Sequence, residues 1–227
     1  MSSELAERVA RVTSGIAEAA RAADRDPAEI TLIAVTKFHP ASLVRELHGL
    51  GIRNFGENRH QEAREKAAEL ADLEPTWHFV GQLQSKKARQ VREYASVIHS
   101  IDREAVVSAL AQPAEGDPPT DCFLQINLTD DPARGGAAPA DVQAVAEQIL
   151  AAPGLRLLGV MAVAPLEEEP RRAFARLRGL SDGVRALDPE ARFISAGMSH
   201  DYAEALAEGA THLRIGTAIT GNRPPRD

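Results

Sequence analysis

One cysteine, few aromatic residues and no excess of positive charge bound this chain before any motif is read. Cys122 is the single cysteine, which excludes an intramolecular disulfide and a cysteine-built metal cage. It lies in the apolar run Cys122–Phe123–Leu124, where a buried, inert thiol is expected rather than a nucleophile. Aromatic residues make up only 4% of the chain, so the core must be built from Leu, Val, Ile and Ala. A formal net charge of −7 offers no basic footprint to a phosphate backbone or an anionic bilayer, and no nucleic-acid or membrane partner is expected. No apolar run approaches the roughly 20 residues of a membrane helix. The N-terminus shows no charged-then-apolar leader, so a cytoplasmic location is expected.

What is present is a regular alternation. Leu5, Val9, Val12, Ile16 and Ala19 share one face of a helix predicted over Leu5–Ala22, which ends at Asp24–Pro27. Short β-branched runs then alternate with longer amphipathic stretches. The strand candidates are Ile30–Thr36, Arg53–Phe55, Thr76–Val80, Ser96–Ile101, Cys122–Leu128, Leu155–Met161, Arg192–Ser195 and His212–Ile215. Helical patterns begin near Ala41, Asn58, Ser85, Arg103, Pro139, Glu169 and Ser199. Strands separated by helices call for parallel pairing with crossovers. A doubly wound sheet would place a glycine-rich phosphate loop after the first strand, and Thr36–Lys37–Phe38–His39–Pro40 contains no glycine. The expectation is one α/β domain over residues 1–227, a (β/α)8 TIM barrel with an extra N-terminal helix covering one end or side. Gln112–Thr120 and Thr129–Pro139, rich in Pro, Gly and Asp, read as surface loops.

Barrels of this kind carry their chemistry at the C-terminal ends of the strands. Those ends hold Lys37, Asn58, Gly81, Asn127, Met161, Ser199 and Gly216–Thr217. Alternation puts Ile33, Val35 and Lys37 on one face, aiming the amine along the interior. A desolvated lysine loses proton affinity and becomes a nucleophile towards aldehydes; a strand-end lysine reaching solvent is the structural alternative. Ser199 suits a helix N-cap beside a phosphate, or an ordinary cap, and Gly216 permits close backbone approach. Arg214 shares a face with Gly216 and needs an acceptor, either a ring nitrogen or a carboxylate such as Glu57.

The runs Leu32–Lys37, Asn54–Asn58, Trp77–Lys87, Gly159–Met161, Gly197–Ser199 and Arg214–Ile219 resemble those of the pyridoxal phosphate homeostasis proteins, in the same order along nearly the whole chain. That family is similar to the barrel domain of bacterial alanine racemase, a fold-type III barrel for pyridoxal 5'-phosphate, without the racemase's β-rich second domain. The resemblance implies an internal aldimine on Lys37, and a phosphate held by Ser199, Gly216 and Thr217. It further implies that Arg214 faces the pyridine nitrogen, Asn58 lies beside the ring and Met198 belongs to the pocket wall. Phe38–His39 replaces a more polar or basic pair, and Ala196 stands where methionine is frequent.

Other signals read more plainly. Lys86, Lys87, Arg89 and Arg92 form a basic cluster expected to be a solvated helix face. Arg134 belongs to a flexible loop above the mouth, as a phosphate screen or a loop charge. His78 and His99 lie on neighbouring strands, but no further ligand pattern accompanies them, and satisfied barrel histidines are expected rather than a metal site.

Three function classes compete: a cofactor-handling protein, an amino-acid racemase and a lysine-imine aldolase. Racemisation needs bases on both faces of the cofactor. The chain ends about ten residues after Thr217, and Tyr94 and Tyr202 both fall on predicted helices. An aldolase has no use for an arginine against a ring nitrogen. The expectation is a non-catalytic protein of pyridoxal phosphate homeostasis, with a weak racemase as the alternative. Its partners would be pyridoxal phosphate and the apoenzymes that receive it, and a monomer is expected.

Overall fold

The computed structural model describes residues 3–113, 116–131 and 133–222. Parts of both Pro/Gly-rich loops, and the ends of the expected domain, therefore lie outside the described residues.

Eight strands close into a parallel barrel in chain order. They are β1 (Thr31–Val35), β2 (Asn54–Glu57), β3 (Thr76–Phe79), β4 (Val97–Ile101), β5 (Thr120–Gln125), β6 (Leu155–Met161), β7 (Phe193–Ser195) and β8 (His212–Ile215). Pairing of β8 with β1 completes the ring, so this is a (β/α)8 TIM barrel. The helices are α1 (Ser3–Ala22), α2 (Ala41–Gly49), α3 (His60–Glu69), α4 (Ser85–Arg92), α5 (Glu104–Leu110), α6 (Val142–Leu150), α7 (Pro170–Leu187), α8 (Tyr202–Ala207) and α9 (Thr217–Thr220).

Strand alternation divides the side chains into two populations. Ala34, Phe55, Trp77, Phe79, Ile98, Cys122, Leu124, Val160, Ile194 and Ile215 belong to the large apolar core between barrel and helices. A second, smaller cluster of Val97, Phe123 and Met161, flanked by Leu158 and Phe193, fills part of the bore. Burial pushes the Cys122 thiol well above its ordinary pKa, so it behaves as a small core hydrophobe. Each large side chain moved fully from water into such a core contributes about 1.5–3 kcal/mol.

The N-terminal helix covers the side of the barrel, not an end. Its buried stripe of Leu5, Val9, Val12, Ile16 and Ala20 faces inward, and it lies along α8 and α9. Arg8 Nε donates to Ile219 O at 2.8 Å, and Arg25 donates to Ala210 O at 2.5 Å. That slot, beside β8 and β1, is where the short α9 leaves the barrel uncovered.

Most elements begin or end one to three residues from the sequence expectation, and three of these shifts bear on the barrel mouth. The strand expected to run to Leu128 stops at Gln125, because Asn127 N turns away to donate to Ala137 O at 2.9 Å. The helix expected from Asn58 starts at His60. The helix expected from Ser199 starts at Tyr202, with Asp201 at its cap position, so Ser199 is not its N-cap.

Candidate functional site

Backbone register brings the sequence-predicted residues to one quadrant of the barrel's C-terminal end. Val35 pairs with Gly56, so Lys37 and Asn58, each two residues further on, come to the same level. Ile33 pairs with Arg214, which levels Val35 with Gly216. Arg214 N donates to Gly197 O at 2.9 Å, so the segment after β7 climbs beside β8 towards the same end.

Lys37 occupies a tight turn immediately above β1. Thr36 O accepts from His39 N at 3.1 Å, and Phe38 has φ +69°. A bond from residue i to i+3 with positive φ only at the third position defines a type II turn, with Lys37 second and Phe38 third. The third position favours glycine, and a bulky residue there costs about 1–2 kcal/mol. Phe38 meets that cost with two partners: Glu62 Oε1 accepts from its N–H at 2.5 Å, and the Arg59 guanidinium lies 4.6 Å from its ring centroid. The side chain that departs from the family's pattern is thus anchored, and Lys37 is half-buried at the barrel mouth.

Asn58 follows β2. A Cβ on Gly81, at the end of β3, would come within 2.1 Å of Asn58 O, so only glycine allows the two strand ends to approach. Asn58 Oδ1 is buried and has no hydrogen-bond partner among the described residues. An orphaned amide oxygen at a strand end marks a place where a donor from outside the chain fits.

Across the mouth, Ser199 caps a different segment from the expected one. Its Oγ accepts from Ala218 N, in the first turn of α9, at 3.3 Å. Gly216, Thr217 and Ser199 therefore form one polar corner, in which the first amides of a helical turn find no partner inside the turn. A Cβ on Gly216 would meet nothing closer than Val35 at 3.8 Å, so side-chain room within the chain is not what selects glycine there. Met198 is 37% exposed on the same rim, its N–H donating to Asp201 Oδ1 at 2.5 Å.

Below this corner the bore is polar, a feature only partly read from the sequence. Arg214 is 5% exposed, and no carboxylate pairs with it among the described residues. Glu57, one acceptor considered from sequence, faces the other side of β2, where it pairs with Lys66 at 2.7 Å. Arg214 instead donates to Ser195 Oγ at 2.6 Å and Ala162 O at 2.8 Å. Ser195 Oγ lies 2.9 Å from His99 Nδ1, His99 Nε2 lies 2.9 Å from His78 Nδ1, and His78 Nε2 lies 3.0 Å from Asn54 Oδ1.

One proton arrangement satisfies every link. Asn54 Oδ1 can only accept, so His78 carries its proton on Nε2 and accepts on Nδ1. His99 then donates from Nε2, and its Nδ1 accepts the Ser195 hydroxyl proton, leaving the Ser195 lone pairs to Arg214. All dipoles point away from the guanidinium. Burial pushes His78 down to about 3, and His99 well below its ordinary value, so both rings are neutral. Burial also lowers Arg214, to about 10, with Asp201 opposing; it stays charged at neutral pH.

The remaining signals fall into structural roles. Among the described residues no group of three His, Cys, Asp or Glu side chains could hold a metal. The Arg134 loop is pinned rather than loose: Asn127 Nδ2 donates to Asp131 O at 2.9 Å, and Gln125 Nε2 donates to Gly135 O at 3.0 Å. Asn127 thus organises a loop. Lys86, Lys87 and Arg89 are exposed, as a solvated face requires, whereas Arg92 is half-buried and donates to Gln112 O at 2.6 Å.

The sequence profile of the alanine racemase N-terminal domain matches residues 11–224. The pyridoxal phosphate homeostasis protein of Pseudomonas aeruginosa is 46% identical over 226 residues, covering 97% of this chain and 96% of that protein. The chain belongs to the pyridoxal phosphate homeostasis protein family. The structure of PipY from Synechococcus elongatus with pyridoxal phosphate bound superposes with a TM-score of 0.84 at 38% identity, covering 96% of this chain and all of that one. Alanine racemase from Corynebacterium glutamicum gives a TM-score of 0.74 at 17% identity over 96% of this chain and 62% of its own, which shows a shared fold alone. No helix among the described residues is long and apolar enough to cross a membrane.

Proposed function

We propose that this family member binds pyridoxal 5'-phosphate at the barrel mouth and serves intracellular homeostasis of that cofactor without a dedicated catalytic reaction. The observation that carries the reading is the convergence of Lys37, the orphaned Asn58 Oδ1, a buried arginine without a carboxylate, and the Ser199–Gly216–Thr217 corner on four adjacent strand ends.

These residues fit the group. When bound, pyridoxal phosphate supplies an aldehyde that condenses reversibly with a primary amine. Lys37 would provide that amine, Ser199, Gly216 and Thr217 would hold the phosphate, and Asn58 and Met198 would border the ring. Arg214 would lie on the side of the ring nitrogen and, unable to surrender its proton, would leave that nitrogen neutral and a weaker electron sink.

The tyrosines support the absence of a dedicated reaction. Racemisation needs a second base opposite the lysine. Tyr94 stacks on His60 at 5.8 Å on the barrel flank. Tyr202 Oη lies against Gly15 of α1, where a Cβ would come within 2.6 Å of it. Neither reaches the mouth.

Delivery to apoenzymes by a monomeric carrier is the role this arrangement suits. Purified protein with added pyridoxal phosphate should give a borohydride-trappable adduct that Lys37→Ala abolishes; an adduct retained by the variant overturns the assignment. Incubation with L-alanine in deuterated water should leave the α-proton in place, and rapid exchange would favour the racemase.

A further inference from the structure

A charged cluster lies behind Lys37, on the outer side of β1 and β2. Glu57, 1% exposed, ends β2 on the face opposite Asn54 and Gly56. Its Oε1 accepts from Thr36 Oγ1 and from Lys66 Nζ of α3, both at 2.7 Å. Lys66 Nζ also donates to Glu62 Oε1 at 2.7 Å and to Thr36 O at 2.9 Å. Glu62 Oε1 in turn accepts from Phe38 N at 2.5 Å. The cluster therefore grips both peptides that flank Lys37: the carbonyl before it and the amide after it.

The second grip decides a conformation. Phe38 N–H belongs to the central peptide of the turn, and rotation of that peptide by about half a revolution is what separates type II from type I. Type I suits non-glycine residues and would leave Phe38 at negative φ. A carboxylate fixed by Lys66 and aimed at the flipped N–H selects type II, and thereby sets ψ at Lys37. The Lys66–Glu57–Thr36 bonds hold the other end of the same residue. Lys66 donates to both carboxylates and so links the two acids into one unit; burial pushes the Glu57 carboxyl up and Lys66 opposes it.

We propose that Glu62 is a positioning residue for Lys37, holding the Lys37–Phe38 peptide flipped so that the amine is presented in one orientation at the barrel mouth. The proposal rests on the reading of Lys37 as the amine that captures the cofactor.

Glycine at position 38 provides the test, because it accepts positive φ without penalty. Glu62→Ala should slow capture of pyridoxal phosphate, followed by its visible absorbance, about tenfold, the equivalent of about 1.4 kcal/mol. Adding Phe38→Gly to Glu62→Ala should restore the rate to within about twofold of the wild type. Glu62→Gln keeps an oxygen acceptor but loses the ion pair and should fall between; paired with Phe38→Gly it carries the same comparison if Glu62→Ala does not fold. In cofactor-free protein the Phe38 amide should be protected from hydrogen exchange, and Glu62→Ala should release it while neighbouring β1 amides stay protected. Wild-type capture and wild-type Phe38 protection in Glu62→Ala would overturn the role. So would a slowed variant, folded as judged by melting, that Phe38→Gly fails to restore. Survival of the adduct in Lys37→Ala would instead overturn the underlying reading of Lys37, whatever Glu62 does.

Discussion

Arg214 donates to the hydroxyl of Ser195 at 2.6 Å inside the closed bore, so a buried cation leans on a neutral acceptor. The same hydroxyl supplies the proton that His99 Nδ1 accepts at 2.9 Å. Ser195→Ala removes both contacts at once and leaves two buried polar groups short of a partner. Each such group costs about 1–3 kcal/mol, so the variant should lose about 2–6 kcal/mol of stability. In a domain of this size that corresponds to a fall of about 4–24 °C in melting temperature. A melting temperature within about 2 °C of the wild type, the scale of under 1 kcal/mol, would show that Arg214 finds another acceptor.

The histidines of the bore predict a pH dependence with a definite sign. His78 sits at about 3 and His212 at about 4, both lowered chiefly by burial, with His99 also lowered well below its ordinary value. In the unfolded chain each returns to about 6.5. Below about pH 6.5 the unfolded state takes up protons that the native state refuses, so stability is present above that pH and is lost on acidification towards pH 4. Each histidine contributes a slope of about 1.4 kcal/mol per pH unit inside that window. Urea titrations between pH 7 and pH 5 should show the loss, and His99→Gln should lessen the slope by about one proton. A flat profile, or an unchanged slope in the variant, would mean that these rings are protonated in the native barrel.

The contrast between what the strand ends disclosed and what the bore concealed has a physical basis. Lys37, Arg214, Gly216 and Thr217 stand out because each interrupts an apolar run, and parallel pairing places interruptions at one end. Boundaries were also close: β6 and β8 match the sequence expectation residue for residue. Ser195 and Asn54 carried no such mark, since each reads as a small or polar residue at the margin of a strand. What joins them into one network is closure of the ring, which brings His99 of β4 within hydrogen-bond distance of Ser195 of β7. Inward parity, counted from Lys37 through each neighbouring strand, would have put Asn54, His78, His99, Ser195 and Arg214 on one wall. Glu62 and Lys66 were hidden differently. In α3 they look like an ordinary acid–base pair on a solvated face, and only the packing of that helix over β1 and β2 buries Lys66. Ser199 looks like the cap of α8 in sequence, but α8 begins at Tyr202 with Asp201 at its cap position, which leaves Ser199 to α9.

That reassignment of Ser199 yields a prediction that separates fold from ligand. Its contact with Ala218 N is long, 3.3 Å, and half-exposed, so Ser199→Ala should cost stability less than about 1 kcal/mol. A phosphate in the corner would lose one of its hydroxyl donors. A hydrogen bond to a charged group contributes about 1.5–3 kcal/mol, so affinity for pyridoxal phosphate should fall about 10- to 100-fold. Pyridoxal, which lacks the phosphate, should bind weakly to both proteins and scarcely distinguish them. Inorganic phosphate should compete with pyridoxal phosphate for the wild type and do so less well for the variant. Equal losses for pyridoxal and pyridoxal phosphate would place the defect in the ring pocket or in the fold, and would move the phosphate away from the junction of β7 and β8.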